Sequence, residues 1–258
     1  MRKYGSVMAL YARATLGRVL AVLGILCAVQ AVVYGWGIRG AAMLRAEALS
    51  GENVPLVMLT PLGIVSAAAM LVICWWLLRQ YSDSGSWYTL RRLNVSERQV
   101  WGCQVVYHIL VLLICWGVLT GLYFGLFAWY LRQLPEAFGS GQLLFVMSYQ
   151  VPQFHGLLPL ADGWVWLRNI VWILALSMSL ATGSWELRRG RHPMTTYAVV
   201  AVILFMGVPV PMSSFSRVAI GTAIPALLVV IELTLTVFSS TRDREQERQK
   251  LREAEDHE

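Results

Sequence analysis

Two titratable side chains of this chain lie deep in apolar sequence. Glu232 falls within the run Val218–Phe238, about six residues and so ~9 Å from its end, and His108 lies at a similar depth inside Trp101–Tyr130. A charge in lipid is costly there, and such residues usually face protein or a water-filled cavity. One reading makes His108 and Glu232 a buried polar pair across a helix interface. The other leaves Glu232 by itself, satisfied by Thr234, Thr236 or a neighbouring helix.

Beyond these two, the residues offer little chemistry. No Gly-x-x-x-x-Gly-Lys-Ser/Thr loop occurs, so the chain cannot cradle nucleotide phosphates in the usual way. The His-Glu-x-x-His pair of a zinc protease is also missing, as are the paired glutamates of intramembrane prenyl-peptidases. His155 and His192 are scattered, and His257 is in the tail. Cys27, Cys74, Cys103 and Cys115 all sit in apolar runs without metal-ligand spacing and read as small apolar core residues. The expectation is a chain that is not an enzyme, with no catalytic residue, metal or cofactor of its own.

The elements that hold these residues are membrane spans. Hydrophobic residues make up 57% of the 258 and charged residues 14%, against roughly a quarter charged in soluble domains. Apolar runs of about 20 residues recur, the length that crosses ~30 Å of hydrocarbon. Six are expected: Val19–Ile38, Leu56–Leu78, Trp101–Tyr130, Trp164–Trp185, Thr195–Val210 and Val218–Phe238. Lipid offers the backbone no partner, and the runs do not alternate, so the spans are helices and not barrel strands. The fold class is an all-α integral membrane protein, with a six-helix transmembrane domain over residues 19–240.

Arginine and lysine set the orientation. With the N-terminus inside, the inner segments before the tail carry eleven of them (Arg2, Lys3, Arg13, Arg18, Arg79, Arg91, Arg92, Arg98, Arg188, Arg189 and Arg191), and the outer segments carry five. That asymmetry places both termini in the cytoplasm, in the cell membrane. Trp36, Trp129, Trp164 and Trp166 then fall at the outer interface. The net charge of +6 is accounted for by membrane orientation and does not call for nucleic acid. The run after Arg2 and Lys3 starts late, near Val19, with no convincing cleavage site, and reads as a first span rather than a signal peptide.

Residues 1–18 place Tyr4, Val7, Met8 and Tyr11 at helical spacing, as in a short amphipathic helix on the inner leaflet, although Gly5 weakens it. The third run is long: about 30 residues make ~45 Å of helix. Within it, Gly117, Gly121 and Gly125 form a smooth stripe for close helix approach, equally suited to internal packing or to a dimer interface. Residues 132–163 form the largest outer loop. Residues 241–258 are a charged cytoplasmic tail, read as a solvated continuation of the last helix.

One polar island breaks the apolar pattern at residues 82–98, Ser-Asp-Ser-Gly-Ser-Trp-Tyr-Thr-Leu-Arg-Arg-Leu-Asn-Val-Ser-Glu-Arg. Ser84 or Ser86 can cap a short helix through Trp87–Leu93, Asn94 breaks it, and Ser96 with Gln99 resembles a capping box opening the third span. Such a helix lies along the cytoplasmic face, either gripping anionic lipid or docking a soluble protein. The order of surface helix, span, island with Tyr88-Thr-Leu-Arg-Arg-Leu-Asn-Val-Ser-Glu-Arg and four further spans resembles the type-2 ABC-exporter permeases. The resemblance implies that the island is the coupling helix between spans 2 and 3, docking on a separate ATPase subunit through Tyr88, Leu90, Arg91, Arg92, Leu93, Glu97 and Arg98. It also implies a second permease copy or a related permease, with ATP and Mg in the partner ATPase and membrane lipid around the spans. The bulkier outer loop precedes the fourth span here, whereas the family's outer hairpin precedes the last. An accessory or immunity-type membrane protein that binds a partner without transporting is the alternative.

Overall fold

The computed structural model describes residues 2–44, 54–79, 97–132, 156–159, 162–188, 190–207 and 219–234. All regular structure among them is helical: α1 (Arg2–Leu44), α2 (Val54–Leu78), α3 (Glu97–Leu131), α4 (Gly163–Arg188) and α5 (Met194–Gly207), followed by α6 (Ala219–Thr234). Three helices are long and apolar enough to cross a membrane, through Gly5–Trp36 of α1, Arg98–Trp129 of α3 and Gly163–Arg188 of α4. Leu62–Leu78, Met194–Ile203 and Ala219–Thr234 are shorter apolar helices. Of the island, Tyr88, Leu90, Arg91, Arg92 and Leu93 lie outside the described residues, as do most of the outer loop 132–163 and the tail 241–258.

Helix α1 departs from the sequence expectation. Residues 2–18 are not a separate surface helix but the first turns of one 43-residue helix. The reason is a continuous buried stripe: Val7, Tyr11, Thr15, Val19, Leu23, Leu26, Gln30 and Tyr34 recur every three or four positions, and all are buried. Gly5 and Gly17 do not interrupt it. The stripe follows α3. Tyr11 donates its hydroxyl to the Val100 carbonyl at 3.3 Å, Thr15 hydrogen-bonds the Tyr107 hydroxyl, and Tyr34 packs on Trp129 with ring centroids 6.3 Å apart. Residue numbers rise together along both helices, so α1 and α3 are parallel. The long third run is one unbroken helix of 35 residues, α3.

The other pairs alternate in direction. Gln30 of α1 reaches Leu62 and Ser66 of α2, while Arg18 lies over Trp76, so α1 and α2 run antiparallel. Helices α3 and α4 are antiparallel as well: Gln104 meets Ser184 and Trp116 meets Trp166. Helix α6 follows the direction of α4, with Gly221 beside Trp172 and Glu232 beside Ser179.

Local chemistry explains both ends of α4. Asp162 caps its start, its Oδ1 accepting the amide of Trp164 at 3.0 Å. At the other end Gly190 takes φ 70°, its amide donates to Leu187 O at 3.1 Å, and the Arg191 amide donates to Glu186 O at 3.0 Å. This pair of bonds is a Schellman closure, which a glycine makes without a Cβ penalty. Pro193 then leads into α5, holding the α4–α5 turn to a few residues.

Candidate functional site

The interior is more polar than an apolar chain leads one to expect, and its polar groups lie along three seams. Between α3 and α4, Trp101 Nε1 donates to Thr182 Oγ1 at 3.3 Å and Gln104 Nε2 donates to Ser184 Oγ at 2.7 Å. Arg188 closes that seam at the end of α4, donating from Nε to Ser184 O at 3.2 Å and from Nη2 to Gln104 Oε1 at 3.4 Å. His108, fully buried, faces Ser177 O through Nδ1 at 3.3 Å. A carbonyl only accepts, so Nδ1 carries the proton. The other ring nitrogen, Nε2, then has no hydrogen-bond partner among the described residues.

The second seam joins α4, α5 and α6. Ser179 Oγ donates to Glu232 Oε1 at 2.6 Å, and Thr196 Oγ1 donates to Ser179 O at 2.8 Å. The Thr195 hydroxyl and the Glu186 carboxylate lie close enough to act on Glu232, and Arg191 is close enough to act on Glu186. One arginine and two acids thus lie in sequence from the exposed α4–α5 turn to the buried Glu232, with the two acids side by side. Thr234, a partner considered for Glu232, instead donates to its own helix at Val230 O and Ile231 O.

His108 and Glu232 are therefore both buried but do not meet. Their partners, Ser177 and Ser179, stand two residues apart on α4, about 200° around the helix. α4 stands between the two side chains, and each bonds to α4 through one atom, Nδ1 of His108 and Oε1 of Glu232.

The third seam ties α1, α2 and α3. Gln30 Nε2 donates to Leu62 O at 3.2 Å and to Ser66 Oγ, and Ser66 Oγ lies 3.1 Å from the Tyr123 hydroxyl. At the opposite side of the bundle, residues 156–159 are fastened down. Trp116 Nε1 donates to Leu157 O at 3.0 Å, and Asn169 Nδ2 donates to Gly156 O at 2.8 Å. Arg168 sits 4.9 Å over the Trp172 ring.

Among the described glycines, Gly183 on α4 has the closest neighbours. Ala175, Ser179 and Gly183, four residues apart, are all buried. A Cβ on Gly183 would strike Thr196 Oγ1 and come within 2.8 Å of Leu78 Cδ1 and 3.1 Å of Pro193 Cβ. Gly117, Gly121 and Gly125 are arranged differently: each is exposed on α3, with nothing within 4 Å of where its Cβ would stand. Glu97 and Arg98 form the first turn of α3, and Arg98 is exposed.

In chemical terms the seams are hydroxyl, amide and indole donors on carbonyl, hydroxyl and carboxylate acceptors. Ser179 and Glu232 pair without an imidazole, and among the described residues no three His, Cys, Asp or Glu side chains converge on one point. The arrangement knits helices. Sequence reasoning passed over Gln30, Gln104, Ser66 and the Ala175–Ser179–Gly183 stripe. Two glutamines within apolar runs and small residues every fourth position were the available signals.

Comparison of the chain with protein-family models, curated proteins and solved structures gives no match. What fold and interior define is a helical bundle knit by buried polar seams, with three members long and apolar enough to cross a membrane.

Proposed function

We propose that this chain is the permease subunit of an ATP-binding-cassette exporter in the cytoplasmic membrane, with six spans and both termini inside. In this reading a separate ATPase subunit carries ATP and Mg, and it docks on residues 82–98. A second permease copy or a related permease completes the unit. ATP binding closes the ATPase pair, and the docked segment converts that closure into rearrangement of the helices, a coupling between sites through a shared two-state element.

The observation that carries the reading is where the two helix ends that flank the island lie. The island joins Arg79, just past α2, to Glu97, the start of α3. That is the end at which Tyr11 meets Val100, Trp101 meets Thr182, and Leu78 approaches Gly183. The starts of α1, α3 and α5 and the ends of α2 and α4 therefore gather at this end. Arg13, Arg18, Arg79, Arg98, Arg188 and Arg191 belong to this end, which favours a cytoplasmic placement. The alternating helix directions fit successive crossings, and the lack of a phosphate-binding loop calls for an ATPase on another chain.

The test is purification of the tagged chain from its native membranes, with bound subunits identified and ATP hydrolysis by the eluate measured. Arg91→Glu with Arg92→Glu should remove the ATPase from the eluate; unchanged co-purification sinks the assignment. The alternative, a partner-binding accessory or immunity-type protein that transports nothing, draws support from one observation. The buried polar groups of the seams bond helix to helix instead of lining a passage. It predicts an eluate without nucleotide hydrolysis.

A further inference from the structure

Two arginines on different helices are carried by consecutive tryptophans of α2. The Arg79 guanidinium lies 4.1 Å from the Trp75 ring centroid, and Arg18, reaching across from α1, lies 6.0 Å from that of Trp76. Both arginines are exposed, and Trp75 is 44% exposed. Neither helix holds an acidic residue anywhere in Arg2–Leu44 or Val54–Leu78. Deeper along the same two helices the exposed side chains turn apolar: Leu71 and Val72 on α2, Leu20 on α1. Leu71 is two turns, ~12 Å, below Arg79.

We infer that this α1–α2 corner is a binding site for an anionic phospholipid of the leaflet at the basic end of the bundle. The headgroup phosphate lies between Arg18 and Arg79, and an acyl chain runs along Leu71, Val72 and Trp75. The Trp75 indole lies against the Arg79 guanidinium and the Trp76 indole stands at the edge of cation–π range from Arg18, which keeps both cations near the interface, where each has several N–H donors to offer a phosphate. The apolar strip beneath the charge complements a lipid; free phosphate or an acidic peptide would leave it uncovered. The site is independent of whether an ATPase docks on the chain.

The experiment is native mass spectrometry of the detergent-solubilised full chain, titrated with palmitoyl-oleoyl phosphatidylglycerol against the phosphatidylcholine of the same acyl chains. Two guanidiniums near the surface should give a preference of about thirtyfold for the anionic lipid. Arg18→Gln with Arg79→Gln should reduce it to within about threefold. Arg79→Lys, which keeps the charge but loses the planar stack, should fall between. Arg132→Gln, at the far end of α3, should change nothing. The inference is overturned if the double variant keeps the preference, if Arg132→Gln lowers it equally, or if glycerol phosphate displaces the lipid at matched concentration.

Discussion

Gly183→Ala adds one methyl group where α2, α4 and α5 come together. The new Cβ overlaps Thr196 Oγ1 and stands 2.8 Å from Leu78 Cδ1 and 3.1 Å from Pro193 Cβ. Leu78 ends in a flexible tip that can yield. Pro193 is fixed by the turn behind Gly190, and Thr196 is held by its bond to Ser179 O. Forcing a methyl into a filled interior costs about 1–3 kcal/mol. Turning Thr196 away forfeits a further ~0.6 kcal/mol, the average for a hydrogen bond between helices in a membrane. Against this, alanine is worth roughly 0.5–1 kcal/mol over glycine inside a helix. The net is a loss of about 0.6–3 kcal/mol, or several degrees in the melting midpoint of a chain this size. Thermal melting of the purified chain, followed by fluorescence-detected size exclusion, reads the shift. Gly121→Ala supplies the comparison, since nothing stands within 4 Å of its Cβ and only the helix gain remains. Equal midpoints for the two variants would refute the packing assigned to α4.

Two further substitutions probe the same region. Ser179→Ala withdraws the 2.6 Å donor from the buried Glu232 carboxylate and should cost about 1–3 kcal/mol in denaturant unfolding; Thr234→Ala, which removes only bonds to α6's own backbone, should be near neutral, and similar losses from both would contradict the α4–α6 seam. Gly190→Ala forces a Cβ into φ 70° and should lower stability by about 1 kcal/mol, with Gly190→Asn milder; an unchanged midpoint for Gly190→Ala would show that the Schellman closure does not hold the α4–α5 turn.

The apolar runs were legible because helix length and hydrocarbon thickness leave few alternatives. Trp164–Trp185 and Thr195–Val210, read from sequence, lie close to α4 and α5. What a single sequence does not encode is which side of a helix faces which neighbour. Gly117–Gly121–Gly125 and Ala175–Ser179–Gly183 have the same four-residue spacing, yet the first is exposed and the second is buried. His108 and Glu232 were correctly singled out as deep polar residues, but their separation by α4 depends on the order in which helices pack. Residues 2–18 looked like a surface element because Tyr4, Val7, Met8 and Tyr11 sit at helical spacing with basic residues elsewhere, even though Gly5 lowers helix propensity there. The buried stripe from Val7 to Tyr34 overrides that local weakness through tertiary contact with α3.

The pairing of α1 with α3 has a mechanical consequence. Tyr11 on Val100 and Thr15 on Tyr107 fix the two helices near one end, and Tyr34 on Trp129 fixes them near the other. Contacts at both ends resist sliding of one helix past the other, so the pair is built to move together as a two-ply beam. From Glu97 to Trp129 that beam is about 48 Å long. A displacement of the α3 start would carry α1 with it in place of slipping along it.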